Sequence, residues 1–141
     1  MIGILLITHN ALGDSLVDCV RHVMGSVPGN LKVLSVLAED DLQCKEEEGR
    51  DLMEQLDTGQ GVLVLSDLCG ATPYNIGQRL IQPGHAEGIT GVNLPMLLRA
   101  ISYSHMPLVE VTRKALDGGR DCIVLMNNDE GKNAESGCCD H

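Results

Sequence analysis

An α/β fold, a parallel sheet covered by helices on both faces, is what the sequence predicts, and three observations predict it. Apolar runs of strand length alternate with stretches of helical periodicity along the whole chain. The first run, Ile2, Ile4, Leu5, Leu6 and Ile7, is close to continuous, as suits a strand buried on both faces of a parallel sheet. Two strands then end in a polar group, His9 and Asp67, each followed at once by a helix start. In open α/β sheets ligands meet the protein at such strand ends, where the loops diverge and open a crevice.

The chain has 141 residues, enough for one domain with a real core and too few for two ordinary ones. A formal charge of −10 without any Lys/Arg cluster argues against a nucleic-acid partner. Phe and Trp are absent, so Tyr74 and Tyr103 are the only material for stacking on bases or sugars, and the core must be aliphatic. No basic leader precedes the first strand and no apolar run approaches the roughly 18 residues of a membrane span. A cytoplasmic protein with no direct membrane insertion is expected. Cys19, Cys44, Cys69 and Cys122 are widely scattered and read as reduced, small hydrophobes rather than a disulfide framework.

The first helix follows His9, with Leu12, Leu16, Cys19, Val20 and Val23 on one face and Gly25 as its stop. Its amino terminus, with unpaired N–H groups and a positive dipole end, faces the crevice beside His9. Residues 31–37 form the second strand. Asp40 caps a long acidic helix whose inner face carries Leu42, Gly49, Leu52, Met53 and Leu56, and Gly49 allows close packing on the sheet. The charges from Lys45 to Arg50 lie on its solvated face.

The third strand, 61–66, ends at Asp67 and runs into DLCGATPYN. There Gly70 permits a tight turn, Thr72 caps a helix and Pro73 takes its first position. A short fourth strand, 88–92, leads to a helix opened by Asn93 or Leu94 before Pro95. Pro107 opens a further helix with Leu108, Val111, Thr112 and Ala115 inward and Gly118 and Gly119 at its end. Residues 121–126 read as a last strand, and 127–141 as a polar, mobile tail. In that tail Cys138, Cys139 and His141 make no preorganised metal site.

If the first and third strands are neighbours, His9 and Asp67 meet with two helix starts beside them. A carboxylate accepting a hydrogen bond from one ring nitrogen fixes the tautomer that leaves the other free to attack. Phosphoryl transfer fits best, because two helix starts offer several N–H donors to phosphoryl oxygens without any lysine. Neither GxxxxGK[ST] nor GxGxxG occurs, which disfavours direct nucleotide use. A G-x-S-x-G elbow is absent, and a metal site at His9 and Asp67 lacks a third ligand. An incidental histidine and a merely structural Thr72 cap are the bland readings of the same residues.

The segments ITHNALGDSL, DLCGATPYN and GVNLPMLL, in that order and spacing, resemble the enzyme IIA domain of the mannose/sorbose family of the bacterial phosphoenolpyruvate:sugar phosphotransferase system. The resemblance spans residues 1–126. It implies a single three-layer, doubly wound domain with four parallel strands in the order 2-1-3-4. A last, antiparallel edge strand, matched by Cys122 to Met126, is exchanged across a homodimer. It further implies that His9 accepts a phosphoryl group from phospho-HPr, that Asp67 orients the ring, and that Thr72 contacts the phosphoryl group, with Asn10, Gly70 and Ala71 completing the phosphoryl-binding set. A IIB component, acting with membrane IIC and IID, is the implied acceptor, and no cofactor or metal is called for. Asn10 stands where the family often has glycine. A regulatory module switched by phosphorylation and a phosphocarrier for a dihydroxyacetone kinase are the alternative readings, and the sequence does not select a sugar.

Overall fold

The computed structural model describes residues 1–127. Its elements are β1 (Gly3–His9), α1 (Leu12–Met24), β2 (Leu31–Val36), α2 (Leu42–Leu56), β3 (Val62–Ser66), α3 (Thr72–Leu80), β4 (Ala86–Thr90), α4 (Leu94–Ser102) and α5 (Leu108–Asp121). The strands form one parallel sheet in the order β2-β1-β3-β4, as expected. β1 and β3 lie side by side in the centre, with Ile7 opposite Ser66, so the residues that follow these positions leave the sheet together. This is the point at which strand order reverses, where a crevice opens.

Side chains alternate across the sheet, and the alternation divides the core in two. Ile2, Ile4, Leu6, Leu63 and Leu65 face α1, α4 and α5, packing with Val20, Met96, Leu97, Ile101, Val111 and Ala115. Leu5, Ile7, Leu34, Val62 and Val64 face the other way, toward Leu56 of α2 and Ile76 and Leu80 of α3. β1 is therefore apolar at nearly every position because both of its faces are buried.

Several boundaries and faces differ from the sequence reading. α2 is capped by Asp41, which accepts from the Gln43 N–H at 3.0 Å, while Asp40 accepts from the Leu37 N–H. β4 begins and ends two residues earlier than expected. α1 turns Gly13, Leu16, Val17 and Val20 inward and leaves Leu12, Cys19 and Val23 exposed. Gly13 sets this: a Cβ there would stand 2.7 Å from Val33 Cγ1 and 2.8 Å from Thr8 Oγ1, so the helix touches the sheet through backbone. Gly49 does allow close packing of α2, since a Cβ would lie 2.8 Å from Leu80 Cδ1.

The glycine pair in α5 does not end the helix. Gly118 and Gly119 instead let α5 lie against α4, where added Cβ atoms would meet Arg99 Cγ at 2.5 Å and Met96 Cε at 2.7 Å. α5 thus continues to Asp121, and residues 122–127 form no strand within the chain; Leu125 and Met126 are 72% and 100% exposed. Cys19, Cys44 and Cys69 are free but exposed rather than buried, because they fall on outer faces and a loop. Cys122, where the chain leaves α5, is disulfide-bonded rather than reduced. Cys138, Cys139, His141 and the rest of the tail beyond residue 127 lie outside the described residues. Among the described residues no helix is long and apolar enough to cross a membrane.

Candidate functional site

His9 is the last residue of β1, and Asp67 directly follows β3. Parallel pairing of these central strands brings the two together across 58 residues of sequence. One carboxylate oxygen of Asp67, Oδ2, takes two hydrogen bonds from His9, from its backbone N–H at 2.9 Å and from ring Nδ1 at 2.8 Å. The backbone bond fixes where the residue sits and the ring bond fixes how it is turned. The imidazole is 45% exposed while the aspartate side chain is only 9% exposed. The other oxygen, Oδ1, is buried with no hydrogen-bond partner among the described residues.

Burial alone pushes the Asp67 carboxyl up, the largest single influence on it. The backbone N–H, ring N–H and charge of His9, with Asp67's own N–H, together outweigh it and hold the carboxyl below its ordinary value. An ionised carboxylate can only accept, so the proton of the shared bond belongs to Nδ1. Nε2 is then the free, basic nitrogen.

The turn beyond His9 holds Asn10 at φ 48°, the only left-handed residue other than glycine among those described. Asparagine tolerates this region better than most residues, and glycine better still, which gives the departure at this position a conformational reason. The Asn10 N–H donates to Val36 O at 2.9 Å, tying the turn to the end of β2.

On the β3 side, Gly70 has φ 81° with nothing within 4 Å of a built Cβ, so the turn rather than crowding calls for glycine. Ala71 is the N-cap of α3 and its N–H donates to Leu68 O at 3.3 Å. Thr72 is consequently the first helical residue and not the cap, a correction of one position. Its hydroxyl makes no hydrogen bond among the described residues and does not have to serve as both cap and ligand. His9 and Asp67 are thus brought into contact, whereas no direct hydrogen bond joins Asn10, Gly70, Ala71 or Thr72 to either of them.

Sequence reasoning missed Thr8. This residue is fully buried, and its Oγ1 accepts from the Gly13 N–H of α1 at 2.8 Å. A lone hydroxyl in an otherwise aliphatic strand was the available signal.

No Lys or Arg occurs in 1–10 or in 67–78, so these two segments offer an anion backbone N–H groups rather than a cationic side chain; Arg79, which lines a cavity with Thr72, is paired with Glu46. α1 and α3 begin beside the His9–Asp67 pair with alanine N-caps, Ala11 and Ala71, which have no side-chain acceptor to spend on their first-turn N–H groups. In α1 the Thr8 hydroxyl already takes the Gly13 N–H, whereas the α3 start has no side-chain cap, so α3 above all favours an anion.

This chain matches the EIIA-man family model, described as the phosphotransferase-system fructose IIA component, over residues 3–116. It is 29% identical over 128 residues to the mannose-specific EIIAB component of Escherichia coli K12, covering 89% of this chain and 39% of that protein. It therefore spans about two fifths of that relative's length. The fructose-specific EIIA component of Bacillus subtilis 168 is 26% identical over 113 residues, covering 79% of this chain and 77% of that one. In structure, the mannose/sorbose-specific IIA subunit from Enterococcus faecalis superposes with a TM-score of 0.78 at 20% identity, covering 89% of this chain and 95% of that one, a likeness of fold. On the match over residues 3–116, the chain belongs to the EIIA-man family, the IIA components that carry phosphoryl groups in phosphotransferase systems.

Proposed function

We propose that His9 is the phosphoryl-carrying residue, charged by phospho-HPr and discharged to a IIB component during carbohydrate uptake in the cytoplasm. The observation that carries this reading is the bond from His9 Nδ1 to a buried, ionised Asp67, which leaves Nε2 free on a half-exposed imidazole. In the forward step the Nε2 lone pair attacks phosphorus, the new P–N bond forms, and the bond from phosphorus to the donor breaks with its electron pair leaving on the donor. Nδ1 keeps its proton, so the ring becomes cationic as it gains the phosphoryl group. Asp67 balances that charge in both transfers. Thr72, Asn10, Gly70 and Ala71 are proposed to surround the phosphoryl oxygens, through the free hydroxyl, the carboxamide and backbone N–H groups at the helix starts.

Incubation with enzyme I, HPr and phosphoenolpyruvate should give an acid-labile phosphoryl adduct that maps to His9. An adduct that persists in His9→Ala would overturn the assignment, and so would a wild-type protein that takes no phosphoryl group.

We also propose a homodimer. β4 is an edge of the sheet, and Ile123, Leu125 and Met126 lie exposed just beyond α5, as an exchanged strand would require. Light scattering should give twice the chain mass, and Leu125→Lys should lower it; a monomeric wild type would refute the pairing.

A further inference from the structure

Thr8 interrupts the apolar run of β1 with a hydroxyl, yet it is wholly buried and water does not reach it. Its oxygen accepts the Gly13 N–H at 2.8 Å, and the first turn of α1 rests directly on it, because Gly13 has no side chain to hold the two apart. The segment between them is the turn that contains Asn10 at φ 48°. A residue in this sparsely populated conformation persists only where its surroundings over-determine it. Three hydrogen bonds do so here. The His9 N–H goes to Asp67 Oδ2 and the Asn10 N–H to Val36 O, both on the strand side of the turn. On the helix side, the bond from Gly13 to Thr8 is the one side-chain tie to the first turn of α1 among the described residues.

We infer that Thr8 is a positioning residue for His9: its buried hydroxyl holds the β1–α1 turn in the strained form that keeps the imidazole on Asp67. The kinetic part of the inference rests on His9 being the phosphoryl acceptor, whereas the ring geometry does not. Removing the oxygen leaves the buried Gly13 N–H without a partner, and the turn can then relax toward ordinary dihedrals. The ring swings with it, because His9 and Asn10 are consecutive residues.

Thr8→Val keeps the branched shape without the acceptor, Thr8→Ser keeps the acceptor, and Thr8→Cys offers only a weak one. Long-range nitrogen–proton spectra of the imidazole in the unphosphorylated protein should show Nδ1–H for wild type and Thr8→Ser, a mixture of tautomers for Thr8→Val, and an intermediate pattern for Thr8→Cys. With phospho-HPr as donor, kcat should fall about tenfold or more in Thr8→Val with KM unchanged, since a buried hydroxyl touches no docking partner. Thr8→Ser should restore it. A Thr8→Val protein that melts earlier but keeps both the Nδ1–H tautomer and kcat would overturn the inference, as would a Thr8→Ser protein as impaired as Thr8→Val. Should Thr8→Val not fold, Thr8→Cys decides by the same criteria. If phospho-HPr fails to label even the wild type, the acceptor reading falls while the ring spectra still decide the role of Thr8.

Discussion

Four helices begin at the carboxyl edge of the sheet, one after each strand, and their first turns are finished in two different ways. The helices that follow the outer strands carry side-chain caps. Asp41 accepts from the Gln43 N–H of α2, and Asn93 accepts from the Met96 N–H of α4. The helices that follow the central strands have alanine at the N-cap, Ala11 and Ala71; in α1 the buried Thr8 hydroxyl of β1 takes the Gly13 N–H alone, and in α3 no cap side chain takes any. Alanine is among the poorest N-caps and forgoes roughly 0.5–2 kcal/mol relative to Asp or Ser. That omission falls on the two helices beside His9 and Asp67. At α3 a cap would fill the N–H groups that an incoming anion needs, and at α1 Thr8 takes only the Gly13 N–H, so stability is withheld where binding requires open donors.

The largest effect should come from the charge that makes the central pair a site at all. Asp67→Asn keeps the shape of the side chain but not its charge, so the Nδ1–H tautomer and the compensation for a cationic ring both weaken. Phosphoryl transfer from phospho-HPr should slow by about a hundredfold in rapid-quench measurements, within the range usual for such groups. The fold should stay intact, and transfer at the wild-type rate would count against the orienting role. Acid stability gives an independent reading. The Asp67 carboxyl lies below its ordinary 3.8 in the folded protein, so its contribution is present above that unfolded value and is lost as pH falls through the lowered folded one. Below about pH 4 the wild type should therefore lose stability more steeply than Asp67→Asn, and parallel acid profiles would show that the bond contributes nothing.

Giving α3 the cap that α2 has should convert one kind of helix start into the other. Ala71→Ser and Ala71→Asp should each stabilise the protein by roughly 0.5–2 kcal/mol in thermal melts. Both should also slow phosphoryl transfer, about tenfold for Asp, because its carboxylate adds repulsion to competition for the same N–H groups, and less for Ser. A more stable protein with unchanged transfer would mean that the α3 start is not part of the phosphoryl site.

How much of this contrast was legible in the sequence depends on what kind of signal carried it. The central strand was readable because Ile2 to Ile7 is buried on both faces and its composition says so. His9 and Asp67 were readable because polar groups at the ends of two such strands converge once those strands are neighbours. The unequal capping was not, because it turns on single positions. Thr72 before Pro73 looks like a cap, yet Gly70 and the extended Ala71 complete the turn one residue earlier. Asp40 and Asp41 are chemically alike and only geometry separates their partners. Gly118 and Gly119 carry the composition of a helix stop but serve the approach of α5 to α4, a tertiary demand that local pattern does not contain. The cysteines misled for a related reason: a preference for burial says nothing about which face of α1 or α2 meets the sheet.

The smallest effect on transfer should come from uncapping an outer helix. Asp41→Ala removes the acceptor of the Gln43 N–H and should cost about 1 kcal/mol in denaturant unfolding, while phosphoryl transfer keeps its wild-type rate. Asn93 would be a less clean choice, since it also donates to Gly119 O and so joins α4 to the end of α5. Asp41 offers a further readout at Cys44, whose thiol donates to its carboxylate at 3.4 Å. That hydrogen bond, then the aspartate's charge, push the Cys44 thiol above its ordinary value. Asp41→Ala should accordingly bring more of Cys44 into the reactive thiolate form and speed its alkylation at neutral pH. Faster alkylation with transfer unaltered would place Asp41 outside the phosphoryl site and sharpen the division between outer and central helix starts. A fall in transfer as large as that of Ala71→Asp would erase it.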